Sequence, residues 1–256
     1  MKTIAIVTGA NGGFGKELAK LLVTQKGIDE VWAIARSREK LDMLKKELGP
    51  KIKTLPMDLT NRSNLDRIKR LLDYSSVKVK YLVNNAGFAK FGSYGDVSVK
   101  DTLNMIDLNV GAVVALSQIC IPYMPRGSHI INVSSQASFF PLPYMNAYAA
   151  TKAFVRHYTR ALNVELKERW ITATAVCPGW MCTDLFDRAE VGADKSVSNF
   201  FGLTSPDVVA KKALRDAKCG KDMSTYGLYV KLTHLLSKSL PQKVLMQVWL
   251  MQQKLK

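Results

Sequence analysis

Short apolar runs alternate with stretches of helical periodicity along most of this chain. Thr3–Thr8 reads TIAIVT, and residues 31–35, 53–57, 81–83, 130–133 and 171–176 are runs of the same kind. Runs this short and this apolar predict strands buried inside a sheet. After the first of them, Phe14, Leu18, Leu21 and Leu22 recur at helical spacing over 14–24. Longer helices are predicted over 99–123 and 147–169. Strands separated by helices are the pattern of an α/β architecture.

At 256 residues with 47% hydrophobic content, the chain can fill one large α/β core, and no repeat, linker or low-complexity segment divides it. A single domain over 1–256 is the expectation. Residues 108–125 carry no charge and raise the question of a membrane span. Asn109, Gln118 and Pro122, with Asp107 just before, favour a helix buried in protein. The formal charge of +16 suits an anionic ligand, a negative membrane surface or a polyanion. No arginine-rich arm, zinc-finger spacing or aromatic RNA-binding motif accompanies it, which argues against specific nucleic-acid recognition. Cys120, Cys177, Cys182 and Cys219 form no CxxC pair and have no histidine at ligand spacing. No metal site is expected, and free thiols in a reducing, cytoplasmic compartment are.

The candidate chemistry begins with Tyr148 and Lys152, four apart in an alanine-rich run, so a helix presents both on one face. A lysine cation one turn from a phenol favours the phenolate and is expected to pull the tyrosine's pKa down, fitting it to pass protons. Ser134 and Ser135 stand where the strand at 130–133 ends, and a hydroxyl there can hold a carbonyl oxygen. Between the first strand and first helix lies Gly9-Ala10-Asn11-Gly12-Gly13-Phe14-Gly15. Such a turn lets backbone N–H groups approach a pyrophosphate at a helix N-terminus. The second strand ends at Arg36-Ser37, where an NAD-preferring site usually carries an acid. A guanidinium and a neighbouring hydroxyl suit the 2′-phosphate of NADP instead.

The TGxxxGxG turn, Asn84-Asn85-Ala86-Gly87 after the fourth strand, Ser135, and Tyr148-Ala149-Ala150-Thr151-Lys152 together resemble the short-chain dehydrogenases/reductases. The serine-to-tyrosine spacing matches that family when Ser135, rather than Ser134, is taken. The resemblance runs in order from Thr8 to Thr183 and implies a doubly wound parallel sheet of Rossmann type, helices on both faces, and NADP across the carboxyl ends of its strands. It implies a catalytic set of Asn109, Ser135, Tyr148 and Lys152. Tyr148 would donate the proton, Ser135 steady the carbonyl oxygen, Lys152 bind the nicotinamide ribose, and the Asn109 backbone carbonyl hold a water below the lysine. For the cofactor it implies Gly9, Asn11, Gly13, Phe14 and Gly15 in the glycine turn and Asp58 and Leu59 at the adenine. Asn85, Ala86 and Gly87 fall beside the ribose, and Pro178, Gly179 and Thr183 along the nicotinamide. Asp58 or Thr60 alternatively caps the helix that follows from Asn61. One departure is Gly12, where many NADP-using relatives place a second basic residue.

The reaction so implied is NADP(H)-dependent interconversion of a carbonyl and an alcohol. Phe139, Phe140, Leu142, Tyr144 and Met145, with Leu185, Phe186, Phe200, Phe201 and Leu203, are expected to line an apolar cleft, residues 185–205 forming the substrate loop. A bulky substrate such as a sterol or fatty-acyl ketone follows. A sensor that binds NADP without turnover is the alternative reading, as is a peripheral membrane protein whose dinucleotide fold is incidental. The uncharged helix at 99–123 and the one at 147–169 predict pairing into a homodimer or homotetramer, as in relatives. Residues 229–256 form a helical tail, with Pro241 opening its second helix. Val244, Leu245, Val248, Leu250, Met251 and Leu255 give that helix a broad apolar face flanked by Lys243, Lys254 and Lys256. It either folds over the cleft or a neighbouring subunit, or lies in a membrane interface.

Overall fold

The computed structural model describes residues 1–183, 189, 191–193 and 196–255. Seven strands form one parallel sheet in the order β3-β2-β1-β4-β5-β6-β7. They are β1 Thr3–Thr8, β2 Glu30–Ala35, β3 Ile52–Pro56, β4 Lys78–Asn84, β5 His129–Val133, β6 Thr172–Cys177 and β7 Met223–Thr225. Helices α1 Gly13–Val23, α2 Arg38–Leu48 and α3 Arg62–Ser75 follow the first three strands. Next come α4 Val99–Ile106, α5 Ala112–Cys120 and α6 Asn146–Glu165, then α7 Pro206–Lys218, α8 Leu228–Ser239 and α9 Gln242–Gln253.

Side chains alternate across the pleat, and both faces are dry. Ala5 and Val7 of β1 pack in one core with Leu18 and Leu22 of α1, Leu41 and Leu44 of α2, and Val209 and Leu214 of α7. Ile4 and Ile6 face the opposite core, shared by Ile68 and Leu72 of α3, Leu116 and Cys120 of α5, and Leu162 of α6. The doubly wound parallel sheet expected from the alternation is thus the architecture found. Strand order reverses between β1 and β4, so their carboxyl ends open the crevice where such folds take ligands.

Three local features depart from the expectations. The helix predicted over 99–123 is broken by a π-helical turn at Asp107–Gly111, which joins α4 to α5 and turns the buried Asn109 inward. Val99–Tyr123 is long and apolar enough to cross a membrane by length and composition. Here it lies along the sheet, with Ala112, Leu116 and Cys120 in the core. Neither Asp58 nor Thr60 caps α3: Asn61 does, its Oδ1 accepting from the Ser63 amide at 3.0 Å. Asp58 instead folds a turn onto itself, accepting from the Thr60 amide and hydroxyl. β7 was not expected from the pattern; the buried Asp216 of α7 secures it, accepting from Ser224 Oγ at 2.7 Å and pairing with Lys212 and Lys221.

Candidate active site

The crevice floor is built by reciprocal hydrogen bonds between the glycine turn and the segment after β4. Thr8 Oγ1, at the end of β1, accepts from the amides of Asn85 and Ala86, both at 2.9 Å. Asn85 Nδ2 donates back to the carbonyls of Thr8 and Gly9. Gly9 holds φ 63°, and a Cβ on it would lie 2.7 Å from Asn85 Nδ2. Gly15 is packed harder still, since a Cβ there would lie 2.2 Å from the Gly9 carbonyl oxygen. At Gly12, by contrast, a Cβ would meet nothing within 4 Å, leaving the outer rim of the turn open. This tight, open-mouthed turn at the start of α1 fits a pyrophosphate.

A cleft of about 640 Å³ runs from this turn across the end of the sheet. Gly9, Asn11, Gly13 and Phe14 line it at one end, Asn85, Ala86 and Gly87 along its floor, and Ser135, Tyr148, Lys152, Pro178, Gly179 and Thr183 further along. Six expected site residues lie outside the lining. Gly15 sits behind the turn, Leu59 is buried in the core, and Asn109 is buried below the floor. Arg36, Ser37 and Asp58 lie beyond the cleft as lined here. Ser37 spends its hydroxyl as the cap of α2, accepting from the Lys40 amide at 3.2 Å and donating to Glu39 at 2.9 Å. Lys40, in the first turn of α2, does line the cleft.

Tyr148 and Lys152 leave one face of α6 and are both buried. Ser134 Oγ donates to the Lys152 carbonyl at 2.7 Å and fixes α6 against β5. The Ser135 hydroxyl accepts from the Ala137 amide at 3.1 Å and shares the cleft lining with Tyr148. Lys152 Nζ donates to the Val133 carbonyl at 2.9 Å and lies 5.7 Å from the Tyr148 ring centre. Asn109 holds the floor by its side chain: Oδ1 accepts from the Phe88 amide at 3.1 Å, while Nδ2 donates to the Phe88 carbonyl and to Thr151. A Cβ on Gly87 would lie 2.8 Å from Asn109 Oδ1 and 3.4 Å from Lys152 Nζ, so only glycine leaves that junction clear.

The electrostatics correct one expectation. Burial pushes the Tyr148 phenol up to about 12, with the nearby Ser135 hydroxyl opposing the shift. Burial also pushes the Lys152 ammonium down to about 8. Desolvation, which disfavours charge on both groups, outweighs the mutual help expected from their helical spacing. At neutral pH the pair is therefore a neutral phenol, ready to donate, beside a largely protonated amine.

The apolar end of the cleft is only partly the one foreseen. Phe140 and Leu142 line it, and Tyr144, Met145 and Phe200 pack in the cluster around Tyr148. Phe139 turns away to stack on His234 at 4.6 Å, and Phe201 and Leu203 are exposed. Leu185 and Phe186 lie outside the described residues. Phe91 and Trp180 were not foreseen. Phe91 meets Tyr148 and Trp180 edge to face, and Trp180 meets Phe200 at 5.0 Å. Nothing in their local pattern marks them, because each reaches the site through a loop.

The tail closes this end, so it does fold over the cleft. Leu245 and Trp249 of α9 are buried, and Trp249 Nε1 donates to the Pro143 carbonyl at 3.0 Å. The buried Gln253 accepts from the amides of Ser198 and Asn199 and donates to the Asn199 carbonyl at 2.9 Å.

A glycine turn at the switch point of a parallel sheet, with Ser135, Tyr148 and Lys152 across the cleft, defines a dinucleotide-dependent oxidoreductase site. Residues 3–193 match the short chain dehydrogenase family, and the chain belongs to it. The NADP-dependent 3-hydroxy acid dehydrogenase of Escherichia coli is 32% identical over 213 residues, 80% of this chain and 85% of that protein. The very-long-chain 3-oxoacyl-CoA reductase of Macaca fascicularis is 29% identical over 254 residues, 95% of this chain and 77% of that protein. Among solved structures, a short-chain dehydrogenase from Sphingobium yanoikuyae in complex with NADPH aligns with a TM-score of 0.79. It is 27% identical and the match covers 96% of this chain and 95% of that one.

Proposed function

We propose that this protein is an NADP(H)-dependent oxidoreductase that interconverts a ketone or aldehyde and an alcohol on a bulky apolar substrate such as a sterol or fatty-acyl ketone. The observation that carries the reading is the cleft itself, where a phosphate-ready glycine turn, the Ser135, Tyr148 and Lys152 set and an apolar wall from the tail share one cavity. The named relatives that use NADP support the cofactor, as do Arg36 at the end of β2 and Lys40 in the lining.

When bound, the nicotinamide supplies hydride. Tyr148, neutral and beside Ser135 in the cleft lining, donates a proton to the carbonyl oxygen in the reductive direction. Ser135 orients that oxygen. Lys152, anchored on Val133, holds a cation beside the phenol and would hold the ribose hydroxyls of a bound cofactor. Asn109 acts on the floor through its side chain, keeping Phe88 and Gly87 in place below the lysine. Leu142, Leu245 and Trp249 exclude water from the reacting end. A panel of carbonyl compounds and alcohols, read by NADPH oxidation or NADP reduction, tests the reading. Absence of turnover across sterol ketones, acyl ketones and small aldehydes would leave the NADP-binding sensor instead.

Assembly as a homodimer or homotetramer belongs to the same proposal. Val99, Leu103 and Ile106 on α4, and Phe154 and Val164 on α6, are exposed large apolar residues on the two helices expected to pair. The four free cysteines, Cys182 and Cys219 exposed among them, fit a reducing, cytoplasmic setting.

A further inference from the structure

The tail has two apolar sides, and the cleft uses one. Leu245 and Trp249 point inward, and the bonds of Trp249 to Pro143 and of Gln253 to Ser198 and Asn199 fix which side that is. Left outside are Leu228, Leu232, Leu235, Leu240 and Val244, of which Leu228 is 73% and Leu235 60% exposed. Phe201, 58% exposed, extends the surface by packing its ring 5.4 Å from Tyr229. A soluble surface scatters such residues singly; here two consecutive helices present them together.

Charge decides the occupant. Residues 223–256 contain five lysines, Lys231, Lys238, Lys243, Lys254 and Lys256, and no aspartate or glutamate. A second copy docked on this face would bring lysines against lysines with no acid to pair them. An anionic lipid surface would pair them all and bury the leucines between them. The cleft mouth lies in the same surface, since Leu236, Val248 and Met251 both line the cavity and are exposed.

We propose that α8 and α9 seat the protein on an anionic bilayer, and that the cleft takes its apolar substrate from the lipid side. This deepens the reading of the cleft as the site of an apolar carbonyl substrate and rests on it for the delivery step. Docking does not require turnover, so the two can fail separately.

The test uses the full chain, vesicles of phosphatidylglycerol with phosphatidylcholine, and vesicles of phosphatidylcholine alone. The wild type is expected to sediment with the first and much less with the second. Each lysine near an anionic surface contributes about fivefold, so Lys231→Gln with Lys238→Gln lowers partitioning by about 25-fold. Leu228→Asp with Leu235→Asp, at positions outside the cleft lining, abolishes it. In that variant turnover of a long-chain ketone held in vesicles falls, while turnover of a water-soluble ketone stays at the wild-type rate. Wild type that turns over ketones yet ignores anionic vesicles at low salt overturns docking. A double-aspartate variant that loses its oligomeric mass instead of vesicle binding assigns the face to a second copy. Equal loss on both ketones overturns delivery from the lipid. Vesicle binding without any turnover leaves docking standing and rejects the enzymatic reading.

Discussion

Replacing Lys152 by methionine will make the protein more stable and useless as a catalyst. The lysine is buried, and burial lowers its pKa from 10.5 to about 8. At about 1.4 kcal/mol per unit, that depression corresponds to about 3 kcal/mol of native-state penalty for holding the charge. Because the folded value lies below the unfolded one, the penalty is fully present below about pH 8 and fades as pH rises towards 10.5. Methionine is similar in length, carries no charge and abandons one hydrogen bond, that from Nζ to the Val133 carbonyl. Losing that bond costs about 1 kcal/mol. The balance is a gain of about 2 kcal/mol at pH 7, or about 4–8 °C in Tm for a chain this long. Thermal melts followed by circular dichroism, run at pH 7 and again near pH 10, read both the gain and its disappearance. A variant less stable than wild type at pH 7, or a gain that does not change with pH, refutes the assignment of a buried, penalised cation.

Four further outcomes follow from the same geometry. The Tyr148 phenol, raised to about 12, is almost wholly protonated at neutral pH, so alcohol oxidation, which needs the phenolate, should accelerate about tenfold per unit as pH rises; a flat kcat/KM profile for oxidation from neutral to alkaline pH would contradict this. Arg36→Asp should weaken NADPH by about tenfold to a hundredfold and shift preference to NADH, while Lys40→Ala weakens NADPH by about fivefold and leaves NADH alone; titration calorimetry with both nucleotides checks each. Gly15→Ala would press a methyl to 2.2 Å from the Gly9 carbonyl oxygen and should destabilise by about 1–3 kcal/mol, read by urea denaturation, with NADPH binding lost in proportion.

What the sequence showed and what it hid divide along a physical line. The strands in the sheet interior were legible because β1, β5 and the second half of β4 are dry on both faces and read as apolar runs. Tyr148 and Lys152 were legible because a helix makes four-residue spacing into adjacency. Ser134 and Ser135 both border the cleft, and Ser134 spends its hydroxyl on the backbone of α6. The three-residue β7 was not legible, since Ser224 is buried by its bond to Asp216 and not by hydrophobicity. Nor was the π turn, which buries Asn109 where its side chain clamps Phe88. The direction of the Tyr148 shift was misjudged because neighbours along a helix can be read from spacing, whereas desolvation depends on everything packed around them. Phe91, Trp180 and Lys40 reach the cleft through tertiary packing, and no local period announces that. The tail was readable as apolar and basic, yet only the bonds of Trp249 and Gln253 reveal which side faces the cleft.

The central claim is that the Tyr148 hydroxyl delivers the proton while the rest of the cleft binds. Tyr148→Phe removes that oxygen and keeps the ring against Phe91. Single-turnover NADPH oxidation with a ketone the wild type accepts, alongside calorimetric titration of NADPH, measures both halves in one preparation. The account predicts turnover reduced at least a thousandfold, with NADPH affinity within about threefold of wild type. Turnover near the wild-type rate, or NADPH affinity lost together with it, would contradict it.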